Sequence, residues 1–242
     1  MDQFFVNVIP VIRLRSTAED SNRGNLMIIY GGIKEENFRF TVTMLGGKLA
    51  SLGFNVFCFD FRSNLDSSKF EKFGLCDRLD DAREVALWVR DNQGGPFSLL
   101  GLSMGGPLAV RVASELGEKV KNLFLVAPAA YHREAMKPEV KFGPRFKEII
   151  SVPESWRETD SFEEIKGICT NILVIKFRDD DVTPQQPKIY FDNIGSKATL
   201  TRQVRLVILE GGHNGTYTHP QRQEEIIGAI RDFLALPSMA RD

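Results

Sequence analysis

The sequence predicts a mainly parallel, doubly wound β-sheet with helices on both faces, an α/β architecture. Three observations carry this expectation. Short, continuous apolar runs stand at residues 26–30, 55–61, 97–100, 120–126, 171–177 and 204–209, as in strands buried on both faces. Between several of them, apolar residues return every three or four positions, the period of a helix packed on one side. Finally, at Gly101-Leu102-Ser103-Met104-Gly105-Gly106 a serine falls where an apolar strand gives way to a helical pattern. Alternation of this kind joins neighbouring parallel strands by helical crossovers.

Taken in order, residues 4–14 are β-prone around Pro10 and are expected as an edge hairpin or two short strands. Residues 16–24 form a polar turn, and the strand at 26–30 runs into Gly31-Gly32. From Glu36 the period becomes helical, with Phe38, Val42, Leu45, Leu49 and Leu52 on one face and Gly53 as the stop. An irregular polar stretch at 62–74 follows the next strand. Asp77 is expected to cap a helix whose Leu79, Ala82, Ala86 and Val89 face inward. Leu108, Val112 and Leu116 share one face of the helix after Ser103, and Ala127-Pro128 ends the strand at 120–126. Residues 220–234 form the last helix, with Ile226, Ile230 and Phe233 inward and Pro237 as the stop.

Residues 129–167 break the alternation. They carry mixed charge, Pro138, Pro144 and Pro153, and the large apolar groups Phe142, Phe146, Ile149, Ile150 and Trp156. The stretch is too long for an ordinary loop, so an insertion folded over the strand ends is expected, a small lid within one domain spanning 1–242.

Composition narrows the function classes. The chain has 242 residues, of which 43% are hydrophobic, which is enough for a sizeable core. A net charge of -1 argues against nucleic acid or an anionic membrane as the principal partner. Three widely spaced cysteines suggest neither a disulfide framework nor a zinc site. No leader pattern opens the chain and no apolar run approaches a membrane span, so a cytoplasmic protein is expected.

A serine at a tight strand-to-helix turn has its hydroxyl lifted clear of the sheet beside a helix N-terminus. Ser103 stands where a dinucleotide-binding turn would need its middle glycine, and the turn is not on the first strand, which speaks against that reading. To attack a carbonyl, a serine hydroxyl needs a base, and the base needs an orienting acid. Of His132, His213 and His219, only His213 follows an apolar strand within a glycine-rich loop, Glu210-Gly211-Gly212-His213-Asn214-Gly215. The strand at 171–177 delivers Asp179-Asp180-Asp181-Val182-Thr183-Pro184, in which position alone leaves all three carboxylates open. The order serine, aspartate, histidine is that of one architecture in particular.

On these motifs, over roughly residues 25–236, the sequence resembles the α/β-hydrolase superfamily. The resemblance implies Ser103 as nucleophile, His213 as base and Asp180 as acid, with Asp179 next in register and Glu134 as the alternative after the preceding strand. It implies an oxyanion hole built from the N–H of Met104 and a second donor after the strand at 26–30, at Gly32 or, one residue shifted, at Ile33. The chain departs from the pattern in two places. Tyr30 stands where many members have histidine, and Asp60-Phe61-Arg62-Ser63-Asn64-Leu65-Asp66-Ser67 lacks the glycines of Asp-x-Arg-Gly-x-Gly-x-Ser.

The implied function is hydrolysis of a small carboxylic ester or thioester through an acyl-enzyme, with no metal and no organic cofactor. Ile33, Phe142, Phe146, Ile149 and Trp156 are candidates for an apolar acyl pocket. Two other classes stay open. An acyltransferase or thioesterase served by an acidic acyl carrier would use Lys137, Lys141, Arg145 and Lys147, which are interleaved with Glu134, Glu139 and Glu148. A non-catalytic binding protein on the same fold would be expected to have lost one of the three catalytic positions, and this chain keeps all three.

Overall fold

Residues whose side chains are buried at every position form the middle of the sheet. In the computed structural model, which describes residues 1–18, 22–32, 36–195, 202–213 and 219–236, with the backbone alone over 36–43, β3 (Gly24–Ile29) and β5 (Phe97–Leu102) are buried throughout. The other strands are β1 (Asp2–Val6), β2 (Ile9–Leu14), β4 (Phe54–Phe59), β6 (Val120–Val126), β7 (Asn171–Phe177) and β8 (Val204–Leu209). They form one eight-stranded sheet in the order β1-β2-β4-β3-β5-β6-β7-β8. From β4 to β8 every pairing is parallel, while the β1–β2 hairpin adds antiparallel to β4 at one edge.

Among the described residues, the α-helices are α1 (Glu36–Ser51), α2 (Leu75–Gln93), α3 (Gly105–Leu116), α4 (Pro144–Ser151), α5 (Ser161–Gly167), α6 (Gln186–Asp192) and α7 (Pro220–Ala235). The pleat sends alternate strand residues to opposite faces. Met27, Ile29 and Leu99 pack with Leu79, Val110, Ile165 and Tyr190 of α2, α3, α5 and α6. Leu26, Ile28 and Leu100 pack with Leu45, Leu49, Ile226 and Phe233 of α1 and α7. The sheet is therefore covered on both faces, as a parallel sheet must be.

Register brings the strand ends together. Ile29 lies opposite Gly101, Leu102 opposite Val126, Val126 opposite Ile175, and Phe177 opposite Leu209. The loops after β3, β5, β6, β7 and β8 thus leave from one edge of the sheet.

Three local expectations change. Asp77 sits inside α2, which begins at Leu75; its carboxylate accepts from the N–H of Gly74 at 2.7 Å, capping the helix backwards from its first turn. Residues 62–74 hold two 3-10 turns, Arg62–Asn64 and Ser67–Lys72. Helix α6 had no counterpart in the sequence reading: it is only seven residues long. Pro237 and the side chains of Phe38 and Val42 lie outside the described residues.

Residues 129–167 divide in two. The first half, with α4, is tied to the 67–77 region: Phe142 N–H donates to Phe73 O at 2.7 Å and Lys141 Nζ to Asp77 at 2.7 Å. In the second half, Phe162 and Ile165 of α5 join the core on the α3 side of the sheet. Among the described residues, no helix is long and apolar enough to cross a membrane.

Candidate active site

Ser103 follows β5 directly and has φ +50°, a left-handed conformation that costs a non-glycine residue of order 1 kcal/mol. Its backbone is held on both sides. The Ser103 N–H donates to Val126 O at 3.0 Å, and its carbonyl accepts from Gly106 at 2.8 Å and Ala129 at 2.9 Å. Helix α3 starts two residues later, packed so closely on β3 that a Cβ at Gly105 would lie 1.9 Å from the carbonyl oxygen of Ile29. Met104 is the residue just before α3, so its N–H is among the donors the helix leaves unused.

The loop after β8 carries His213 over the same edge, where it is buried. Its Nε2 lies 2.9 Å from Ser103 Oγ, and its Nδ1 lies 3.0 Å from Asp180 Oδ2. Asp180, from the loop after β7, is buried as well. Its Oδ1 accepts from the N–H groups of Val182 (2.9 Å) and Thr183 (2.7 Å), and its Oδ2 also accepts from Thr183 Oγ1 at 2.7 Å. Burial alone pushes the Asp180 carboxyl up. The hydrogen bonds from His213 and Thr183 outweigh it and leave the group below the usual carboxylate range. An ionised Asp180 accepts from a protonated Nδ1, which leaves Nε2 as a lone pair facing the Ser103 hydroxyl.

Of the three adjacent aspartates, Asp180 is the one brought to His213; Asp179 and Asp181 are exposed. Glu134 instead pairs with Lys137 and Arg145. His132 faces Glu158 at 3.3 Å, and His219 precedes α7. Gly31 and Met104 touch: a Cβ on Gly31 would stand 2.1 Å from that of Met104. The loop after β3 and the start of α3 therefore meet, with Gly32 next in line. Ile33 and Asn214 lie outside the described residues.

Phe142, Phe146 and Ile149 are all buried and cluster with Met104 and Leu75. Phe142 stacks on Phe70 at 4.8 Å and meets Phe146 edge-on at 5.1 Å. Trp156 is not brought to them. It packs edge-on against Phe162 at 6.3 Å, under the guanidinium of Arg157.

Two residues were missed from the sequence. Thr183 anchors both oxygens of Asp180, and its place between the aspartates and Pro184 was the available signal. Arg78 is fully buried and donates to Gly32 O and Met104 Sδ. Its signal was an arginine on the apolar stripe Leu75, Leu79, Ala82. Among the described residues, no group of three or more His, Cys, Asp or Glu side chains could hold a metal ion.

A family model for the alpha/beta hydrolase fold matches residues 25–159, more than half of the chain. The chain belongs to the α/β-hydrolase family. This α/β-hydrolase also resembles solved structures along nearly its whole length. A serine hydrolase homologue from Coxiella burnetii is 20% identical with a TM-score of 0.66, covering 97% of this chain and 96% of that one. Est1E from Butyrivibrio proteoclasticus, bound to ferulic acid, is 16% identical with a TM-score of 0.69, covering 97% and 98%. An esterase from Thermogutta terrifontis is 14% identical with a TM-score of 0.65, covering 93% and 86%. At these identities the likeness is one of fold. No curated protein matches the sequence.

Proposed function

We propose that this α/β-hydrolase cleaves a small carboxylic ester or thioester by two-step acyl transfer. The observation that carries the reading is the unbroken line Ser103 Oγ, His213 Nε2, His213 Nδ1, Asp180 Oδ2, with gaps of 2.9 and 3.0 Å.

His213 Nε2 takes the Ser103 proton as Oγ bonds to the carbonyl carbon. The carbonyl π pair moves to oxygen, where the N–H groups of Met104 and Gly32 meet it. Asp180 stabilises the imidazolium without taking its proton. Collapse breaks the bond to the leaving oxygen or sulfur, which receives that proton from His213. Water then repeats the sequence, with His213 as base, and releases the acid and free Ser103. Each oxyanion donor is worth about 3 kcal/mol in such a reaction.

The first substrates to try are aromatic and short-chain esters. Est1E is bound to ferulic acid, and the Thermogutta esterase has been solved with butyrate and with propionate. Phe142, Phe146 and Ile149 would back the acyl pocket through Met104. The carrier-protein reading is less favoured, because three of its four cations, Lys137, Lys141 and Arg145, are each paired with a carboxylate, which leaves an acidic carrier little beyond Lys147.

The test is labelling by a fluorophosphonate, with the adduct located by peptide mass spectrometry and followed by a panel of p-nitrophenyl esters. One adduct per chain on Ser103, with turnover lost in Ser103→Ala, is the expected result. A folded protein that takes no adduct and cleaves no ester sinks the reading.

A further inference from the structure

Arg78 sits on the inward face of α2 and is 0% exposed. Burying a guanidinium costs several kcal/mol unless its donors are met, and the usual partner is a carboxylate. Among the described residues, no carboxylate is hydrogen-bonded to it. The neighbouring Asp81 is turned to Arg62, accepting from that residue's backbone N–H and Nε. Arg78 donates instead to four neutral acceptors. Nε reaches Ser63 Oγ at 3.0 Å, Nη2 reaches Asn64 Oδ1 at 3.0 Å, and Nη1 reaches Gly32 O at 3.1 Å and Met104 Sδ at 3.2 Å. The rings of Phe61 and Phe142 lie 4.8 Å from Cζ. Burial lowers its pKa only to about 10, so the group stays charged at neutral pH.

Two of these acceptors belong to the two backbone segments assigned as oxyanion donors. A Gly-Gly pair such as Gly31-Gly32 has little conformational restriction of its own, and Gly32 has φ +149°. A donor there is preorganised only if something outside the glycines holds it. The bond to the Gly32 carbonyl holds Gly32 from the side opposite its N–H, restricting the one residue whose own dihedrals aim that donor. The same Nη1 touches the side chain of Met104, against which Gly31 is already packed. A hydrocarbon would fill this space at lower cost. A cation with no carboxylate bonded to it, by contrast, favours negative charge nearby in a poorly solvated site.

We propose that Arg78 is the positioning residue of the oxyanion hole: it clamps the Gly32 loop to Met104 and places a positive charge behind both donors. This rests on the serine-hydrolase reading. Ser63 and Asn64 stand in the loop that lacks the glycines of the resembling sequences, and here their side chains anchor the clamp.

The experiment compares wild type with Arg78→Met, Arg78→Lys and the double variant Ser63→Ala/Asn64→Ala. For each, kcat and KM are measured on p-nitrophenyl butyrate, Ki for a trifluoromethyl ketone that forms an oxyanion, and the fluorophosphonate labelling rate at Ser103. Arg78→Met is expected to lower kcat about 10- to 100-fold with KM within about threefold, and to weaken the ketone by a similar factor. Arg78→Lys should recover part of both losses, because charge returns without the full span of donors. A folded Arg78→Met with kcat and Ki within threefold of wild type overturns the inference, as does a rise in KM alone. If Arg78→Met does not fold, the double variant decides. A fall of about fivefold or more in kcat at constant KM supports the clamp, and an unchanged kcat overturns it. Wild type that neither labels at Ser103 nor cleaves ester overturns the hydrolase reading and this inference together. Wild type that labels, beside an Arg78→Met variant that labels equally fast, overturns the clamp alone.

Discussion

Replacing Gly105 by alanine is expected to do the opposite of what the same change does in an ordinary helix. Alanine is the better helix former by about 1 kcal/mol. A Cβ at Gly105, however, would stand 1.9 Å from Ile29 O and 2.6 Å from Ile29 C, where real Cβ contacts essentially never fall below 3.0 Å. The clash is with backbone, so no side chain can rotate away from it. Ile29 pairs with Gly101 in the middle of the sheet, so β3 cannot yield without breaking its register. The start of α3 must instead move outward by about 1 Å. That motion carries Ser103 and Met104 away from Gly31 and from His213. Overpacking of this kind costs about 1–3 kcal/mol, and a 1 Å misplacement of reacting groups costs on the order of 100-fold in rate.

Gly47 provides the control, because in α1 a Cβ there would meet nothing within 4 Å. Gly47→Ala should raise stability by about 0.5–1 kcal/mol and leave kcat unchanged. Urea unfolding followed by circular dichroism gives the stabilities, and kcat is normalised to active sites titrated with fluorophosphonate. A Gly105→Ala protein as stable as wild type, with kcat within threefold, would refute the argument that β3 and α3 meet at backbone contact. So would two variants whose stabilities shift in the same direction.

Thr183→Val removes the 2.7 Å hydroxyl bond to Asp180 Oδ2 while keeping shape. Its expected cost is about 1–2 kcal/mol at neutral pH. Because the Asp180 pKa lies below the usual carboxylate range, that difference is fully present above the range and disappears as pH falls through the folded value; a cost independent of pH would refute it. Asp81 runs the other way, since burial lifts its carboxyl to about 6. Its protonated form is favoured by folding, so wild type should lose about 2–3 kcal/mol relative to Asp81→Asn as pH rises from about 4 to above 6, read from denaturation midpoints. A constant gap between the two proteins across that window would be the contrary result. Phe142→Ala, which empties a buried site between Phe70 and Phe146, should cost about 3–5 kcal/mol in the same assay, and a cost under 1 kcal/mol would place Phe142 outside the packed cluster.

The parts of the molecule legible in the sequence are those set by local chemistry. Apolar runs at full strand length gave the parallel sheet, since strands such as β3 and β5 are buried at every position. The serine turn was legible because its glycines answer to contacts within a few residues of Ser103 and to one neighbouring strand. The acid was not. Three consecutive aspartates are equivalent until the loop folds, and what separates Asp180 from Asp179 is the pair of backbone N–H groups and the hydroxyl that close on it. Helix α6 escaped because seven residues give too little periodicity to read. Arg78 escaped for a different reason. Helical spacing placed it on the buried stripe, but a buried arginine has meaning only through its acceptors, and those lie 15, 14, 46 and 26 residues away in the chain. Trp156 shows the converse, an aromatic that reads as pocket lining and packs with Phe162 instead.

Asp81 and Asp180, both buried, show why burial alone does not decide whether a carboxylate stays ionised. Burial is the largest influence on both, and on both it opposes the charge. Asp81 receives two donors, both from Arg62, and its pKa stays high. Asp180 receives three from its own loop and a fourth from His213, and its pKa falls. The difference follows from the backbone. A short turn after β7 aims two successive N–H groups at one carboxylate oxygen, an arrangement open to a loop at the sheet edge and closed to Asp81, whose helix has already committed its N–H groups. An acid that must stay ionised beside a histidine is thus found at the strand ends, where unused backbone donors are available to hold its charge.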